Sequence, residues 1–176
     1  TDIVFDDYGV CDHCLTFKHK IAPNWQPYRP NTDNLNKILE RIKSDGKKRE
    51  FDCIIGMSGG VDSSYLVYAA KKLFGLRPLV FHVDAGWNSD IAVNNIERLV
   101  DGLKLDLYTE VINWHEMADL QRSFFKSGVP HIDTPQDHAF FATMYKFANK
   151  HKVKHILTGA NYSTECIRNP MNWMYY

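Results

Sequence analysis

Phe51-Asp-Cys-Ile-Ile-Gly-Met-Ser-Gly-Gly-Val-Asp-Ser-Ser64 decides how the rest of the chain is read. The apolar run over 51–57 predicts a buried strand, and the pattern over 61–74 predicts an amphipathic helix. Between them Ser58, Gly59 and Gly60 form a polar corner. A strand that turns through small residues straight into a helix leaves backbone N–H groups pointing outward at the positive end of the helix dipole, where a phosphate fits. Gly59 and Gly60 remove side chains that would block close approach, and Ser58, Ser63 and Ser64 add hydroxyls.

The spacing excludes two common phosphate loops. A Walker A loop requires a Lys that is absent here, since Lys71 and Lys72 come two helical turns later. Gly56, Gly59 and Gly60 do not match the dinucleotide fingerprint. Ser58-Gly-Gly-Val-Asp-Ser63 does resemble the PP-loop of the ATP pyrophosphatase superfamily, enzymes that split ATP into AMP and pyrophosphate while adenylating a substrate. The bland alternative is an ordinary glycine-rich turn.

Outward from this stretch, strands alternate with helices. Strands are predicted over 79–83, 105–112 and 154–157, and helices over 89–103, 114–126 and about 133–151. Gly75 and Gly102 mark helix ends. Ile96, Leu99, Val100 and Leu103 face inward, as do Met117, Leu120 and Phe124. This alternation predicts an α/β fold, a doubly wound parallel sheet of Rossmann-like kind over 51–176, with the chain cut at its C-terminal end. Before it, 31–50 reads as a helix and linker, started by Asn31, Thr32 or Asp33, with Leu35, Ile38, Leu39 and Ile42 on one face. Residues 1–30 read as an irregular N-terminal segment, and Thr1 as a trimmed start.

In such sheets ligands bind beyond the carboxyl ends of the strands. Three of these ends are polar or glycine-rich: Ser58–Ser63, Asp84–Asn88 and Thr158–Asn161. The phosphates of ATP belong at the first. Adenine and ribose then lie against the other two, with close contacts from Val83, Asp84, Ala85 and Gly159. Adenylation needs alignment of the attacking oxygen and neutralisation of the leaving pyrophosphate. The loop amides with Ser58, Ser63 and Ser64 suit the pyrophosphate, and Asp62 suits a Mg²⁺ bridging phosphate oxygens. Asp62 equally suits a first-turn carboxylate on the helix dipole. Asp137 and His138 open a helix after Pro135 and are expected to face the same crevice; His138 is a candidate for orienting substrate or relaying a proton, with a structural role as the alternative. His82 and His155 read as packing residues, and Cys53 as an inert buried thiol.

Cys11-Asp-His-Cys14 offers half of a tetrahedral zinc site, with unligated cysteines and redox chemistry as the other readings. Past the last strand, Asn161, Glu165 and Arg168 look like substrate-binding groups near Cys166, with surface-loop chemistry as the alternative.

Composition narrows the class. The 176 residues carry 21 basic and 21 acidic side chains, so no overall field draws the chain to nucleic acid or an anionic membrane. The apolar runs are strand-sized, with no membrane span or signal peptide among them. Four cysteines without framework spacing argue against a secreted disulfide scaffold, which predicts a cytoplasmic protein.

Several stretches together resemble the N-acetyl sugar amidotransferases of bacterial surface-polysaccharide (O-antigen, lipopolysaccharide) and flagellin-glycan pathways. They are Gly9-Val-Cys-Asp-His-Cys14, Ser58–Ser64, His82-Val-Asp-Ala-Gly-Trp87, Thr134-Pro-Gln-Asp-His138 and Thr158-Gly-Ala-Asn-Tyr-Ser-Thr-Glu-Cys-Ile-Arg168. The resemblance implies that ATP adenylates the acetamido oxygen of a nucleotide-linked sugar, and that ammonia displaces AMP to leave an acetamidino group. It implies ammonia from a separate glutaminase subunit, because the chain has no glutaminase nucleophile elbow. The family's second, upstream Cys-x-x-Cys is not in this sequence. A homo-oligomer is left open. The competing readings are a PP-loop enzyme acting on tRNA, a nucleotide-binding module without catalysis, and a dehydrogenase holding ribose on Asp84.

Overall fold

The computed structural model describes residues 3–23, 32–129 and 131–160. Four strands, β1 (Cys53–Gly56), β2 (Pro78–Asp84), β3 (Leu107–Val111) and β4 (Ile156–Leu157), form one sheet in the order β3-β2-β1-β4. Every pairing is parallel, with Ile54 opposite both Leu79 and Ile156, and Phe81 opposite Tyr108. The predicted doubly wound parallel α/β sheet is therefore the fold.

Parallel neighbours cannot be joined by tight turns, so helices supply the crossovers. The helices are α1 (Asp12–Thr16), α2 (Thr32–Gly46), α3 (Val61–Tyr68), α4 (Asp90–Leu103), α5 (Trp114–Ser127) and α6 (Thr134–Lys150). The chain divides into two compact units, of which Lys37–Gly159 is the larger.

The pleat of β1 shows how that unit is layered. Successive side chains point to opposite faces. Cys53, Ile55 and Met57 join Val80 in a core with Ile42 of α2, Val67 of α3, and Ile96 and Leu103 of α4. Ile54 joins Leu79, Phe81 and Val83 in a second core with Met144, Phe147 and Ala148 of α6. A strand buried on both faces has no polar alternation, which is why 53–57 reads as an uninterrupted run without a charged side chain. Strand order reverses at β1: β2 lies on one side and the last strand, β4, on the other.

Several boundaries differ from the sequence reading. The strand expected over 154–157 is two residues long, and that expected over 105–112 is Leu107–Val111. The helix expected over 61–74 is α-helical only to Tyr68, then widens into a π-helical turn, Ala69–Leu73, before Gly75 at φ +62°. Gly102 does not end α4; Lys104 does, in the left-handed conformation at φ 51°. Leu103 has to reach the core, which carries the helix one residue past the glycine. Leu120 is exposed rather than buried, because α5 turns Met117 and Gln121 inward. Ile42 is buried and Leu39 partly so, but Leu35 and Ile38 are exposed.

The smaller unit is not irregular over 3–23. An antiparallel bridge joins Phe5 to Cys11 around Gly9 at φ +77°, and α1 then runs into a π-helical turn, Phe17–Ile21. Asn31 lies outside the described residues. Among the described residues no helix is long and apolar enough to cross a membrane.

Candidate functional site

The corner after β1 is a loop in which two glycines do different work. Gly59 sits at φ +78°, and a Cβ there would lie 2.4 Å from the Ala92 carbonyl oxygen. Backbone conformation and the approach of α4 both require glycine. Gly60 is the N-cap of α3 and offers no side-chain hydrogen bond. The first-turn N–H groups of Val61, Asp62 and Ser63 are thus uncapped donors at the positive end of the helix dipole.

The two loop serines close on each other. Their hydroxyls are 3.0 Å apart, Ser58 N–H donates to Ser63 Oγ at 3.2 Å, and Ser63 Oγ donates to the Gly60 carbonyl at 3.3 Å. The backbone N–H of Ser64 makes the first helical bond, to the Gly60 carbonyl at 3.1 Å. Asp62 is exposed on the first turn.

Three side chains brace this loop from behind; the sequence placed Asn88 only within a polar strand end and gave His82 and Asn95 no polar role. Buried His82 pairs through Nδ1 with the Met57 carbonyl at 2.8 Å, while Asn88 Nδ2 lies 3.0 Å from His82 Nε2. With Asn88 donating to Nε2, the imidazole carries its proton on Nδ1 and donates it to Met57. Asn95 Nδ2 of α4 donates to the Gly59 carbonyl at 3.0 Å. His82 was expected only to pack. The stretch His82-Val-Asp-Ala-Gly-Trp-Asn88 held the signal, but partners 25 to 36 residues away leave no local pattern.

The loop opens on a cavity of about 520 Å³ within the larger unit. Its floor is the β1 end, Gly56, Met57 and Ser58; Val83 and Ala85 come from the β2 end, and Leu157, Thr158 and Gly159 from the β4 end. This is where strand order reverses, the position at which open α/β sheets bind ligands. Phe81, Phe140 and Met144 make an apolar wall. A Cβ on Gly159 would lie 3.1 Å from the Asp62 carbonyl carbon and the Ser63 nitrogen, so the β4 end packs directly on the start of α3.

Of the predicted nucleotide contacts, Ser58, Val83, Ala85 and Gly159 line this cavity. Gly59, Gly60, Asp62, Ser63 and Ser64 form the loop and helix start rather than the cavity wall. Asp84 is turned to local work, its carboxylate accepting from Gly86 N–H at 2.9 Å. His138 is exposed and is not part of the wall; its neighbours Gln136 and Asp137 are. Asn161, Glu165, Arg168 and Cys166 lie outside the described residues.

The donor set fits magnesium of one kind only. Mg²⁺ is ordinarily held by one or two carboxylates plus substrate phosphates. Asp62 supplies one exposed carboxylate beside the loop, which suits an ion arriving with a nucleotide. Zinc fits less well. Cys11 Sγ accepts the Cys14 N–H at 3.4 Å, and this bond holds the Cys11 thiol below its ordinary pKa. The Cys14 thiol is pushed up by its bond to Cys11. Two thiols are half a tetrahedral set. Among the described residues no cluster of three or more His, Cys, Asp or Glu could hold a metal. Cys53 is fully buried, as expected, and burial pushes its pKa up to about 12.

No protein-family model matches this sequence. No curated protein matches it either. Solved structures do share the fold. An NH3-dependent NAD synthetase from Campylobacter jejuni subsp. jejuni NCTC 11168, in complex with nitrate, is 14% identical with a TM-score of 0.55, over 77% of this chain and 58% of that one. An NMN synthetase from Francisella tularensis is 19% identical with a TM-score of 0.53, over 71% and 52%. A glutamine-dependent NAD+ synthetase from Acinetobacter baumannii, in complex with ADP, is 17% identical with a TM-score of 0.55, over 79% and 27%. The likeness is one of fold, the Rossmann-like parallel sheet of adenine nucleotide alpha hydrolase type. The chain spans between about a quarter and three fifths of these proteins.

Proposed function

We propose that the chain carries the ATP site of an AMP-forming ligase, with pyrophosphate held at Ser58–Ser63 and adenosine in the cavity beyond it. One observation carries this reading: an uncapped helix start, kept bare by glycine, opens on a partly apolar cavity at the reversal of strand order. The fold shared with an NAD+ synthetase whose structure contains ADP supports a nucleotide in that cavity.

On this reading the N–H groups of Val61, Asp62 and Ser63 neutralise the leaving pyrophosphate, and Ser58 and Ser63 exchange their mutual hydrogen bond for bonds to phosphate oxygens. Mg²⁺, where it arrives with ATP, supplies further charge neutralisation, and Asp62 is the residue that would hold it. His82, Asn88 and Asn95 keep the loop in place. Asp137, on the cavity wall, takes the position sought for His138.

The finer proposal is an amidotransferase acting on an N-acetyl sugar nucleotide. The acetamido oxygen attacks the α-phosphorus of ATP, and the bond to pyrophosphate breaks. Ammonia then attacks the activated carbon and gives up a proton, the C–O bond breaks with its electron pair and the oxygen leaving on AMP, and an acetamidino group remains. Activation is needed because an amide carbonyl is a poor electrophile. Asn161, Glu165 and Arg168 are the proposed acceptor contacts, a separate glutaminase the proposed source of ammonia, and the cytoplasm the proposed location. Structural zinc at Cys11 and Cys14 would need ligands from beyond the described residues.

The test is pyrophosphate release. The expected result is release from ATP only when an acetamido sugar nucleotide and ammonia are both supplied, and its loss in Asp62→Asn with the fold intact. Turnover with tRNA in place of the sugar nucleotide overturns the acceptor, and normal rates in Asp62→Asn overturn the role of its carboxylate.

A further inference from the structure

A second, shallower cleft of about 460 Å³ lies on the outer side of Trp87, which lines both it and the first cavity. Its other walls come from α5 and include Trp114, Gln121, Arg122, Phe125 and Lys126. Trp87 and Phe125 are more than half exposed, and Trp114 is 42% exposed. Three large aromatic side chains open to water on one patch is more apolar surface than single exposed residues explain.

These rings are held rather than loose. Trp87 Nε1 donates to Gln121 Oε1 at 2.9 Å, and Gln121 is itself buried. Trp87 and Trp114 meet edge to face with centroids 5.4 Å apart. Gly86, at φ +89°, makes room for that arrangement, since a Cβ there would lie 2.3 Å from Trp114 Cε3. A buried amide and a sterically required glycine thus fix an aromatic platform at the β2 end.

Arg122 and Lys126 are four residues apart on α5 and share one face of it, with Phe125 beside them. Among the described residues Arg122 forms an ion pair only with Asp119, at 3.8 Å and highly exposed, a contact of little strength. An exposed indole face next to two cations recognises a ligand that is aromatic at one end and doubly anionic at the other.

We propose that this cleft is a second nucleotide subsite, taking the nucleoside diphosphate end of the acceptor, with the base on the tryptophans and the diphosphate on Arg122 and Lys126. It rests on the reading that ATP occupies the first cavity. Trp87, common to both walls, then separates the two nucleotides, and the remainder of the acceptor crosses it toward the α-phosphate.

The experiment is calorimetric titration of the intact chain with UDP as probe, with and without a saturating non-hydrolysable ATP analogue, with ATP-analogue affinity measured separately. UDP is expected to bind at one further site in the presence of the analogue. The double variant Arg122→Ala/Lys126→Ala is expected to weaken UDP at least tenfold and to leave analogue affinity within twofold. Displacement of UDP by the analogue, or unchanged UDP affinity in the variant, overturns the subsite. So does a variant that alters self-association in sedimentation and not UDP binding, which makes the cleft a protein contact. Absence of UDP binding with normal analogue binding removes this inference alone; absence of analogue binding with normal UDP binding removes the ATP reading instead.

Discussion

The two ends of β1 use the same ingredients to opposite purpose. At its amino end Asp52, only 4% exposed, is gripped by Arg77 through Nη2 at 2.6 Å, Nε at 3.2 Å and the backbone N–H at 2.8 Å. Arg77 also donates to the carbonyls of Gly46 and Arg49. Gly46 is glycine because Asp52 fills the space its Cβ would need. Every strong group there has its partner inside the protein. At the carboxyl end, glycines again clear space, but the first-turn donors they uncover have no side-chain cap, and the two serine hydroxyls bond only within the loop, to each other and to the Gly60 backbone. A buried charge depends on its partners, and removing one of them destabilises the fold. Donors left at an open helix start await a ligand.

Breaking each end should therefore give different phenotypes. Arg77→Ala has the largest expected effect, about 3 kcal/mol lost in urea unfolding, because it strands the Asp52 carboxylate; partial exposure of Arg77 keeps the loss at the low end for a buried pair. ATP affinity of the folded fraction should be unchanged. Gly59→Ala costs some stability through its strained backbone, but its distinguishing effect is on binding: nucleotide affinity of the folded fraction by calorimetry should fall on the order of 50-fold as the loop is pushed off Ala92 and its amides lose their aim. Equal loss of stability and binding in both variants would erase the distinction between the ends.

How far this division was legible depends on how local its cause is. Ser58-Gly-Gly-Val-Asp-Ser63 encodes its own turn, and a double-faced strand encodes its apolar run, so loop, sheet and cavity position were readable. Gly159 was readable as a strand end, though not that it packs on Asp62 and Ser63. The braces were not readable, because Asn95 and His82 look like any helix-face amide and strand histidine until α4 and β1 meet them. That His138 lies off the cavity wall was unreadable for the same reason: which face of α6 turns inward is set by Met144 and Phe147 in the core.

Asn95 supplies the next test. Asn95→Ala removes one loop hydrogen bond and should weaken nucleotide binding about five- to tenfold with little change in stability. No change would leave Gly59 sterics as the sole determinant of loop position. The smallest effect belongs to the amino-end side of the sheet, where His155 Nε2 meets Asp45 at 2.8 Å and Lys154 lies 3.8 Å away. The hydrogen bond from His155, with the nearby cations, holds the Asp45 carboxyl below its ordinary value of 3.8. A depressed carboxylate stabilises the folded state above its unfolded pKa, and that contribution fades as pH falls through the folded value. Asp45→Asn should thus lower the thermal midpoint slightly at neutral pH and converge with the parent below pH 3.8. A constant difference at all pH values would assign the effect to packing.

The most direct measurement is a crystal structure of the chain with a non-hydrolysable ATP analogue. The β- and γ-phosphates are expected within hydrogen-bond distance of the backbone N–H groups at 59–63, with the Ser58–Ser63 hydroxyl contact broken. A triphosphate bound elsewhere, with that contact intact, would contradict it.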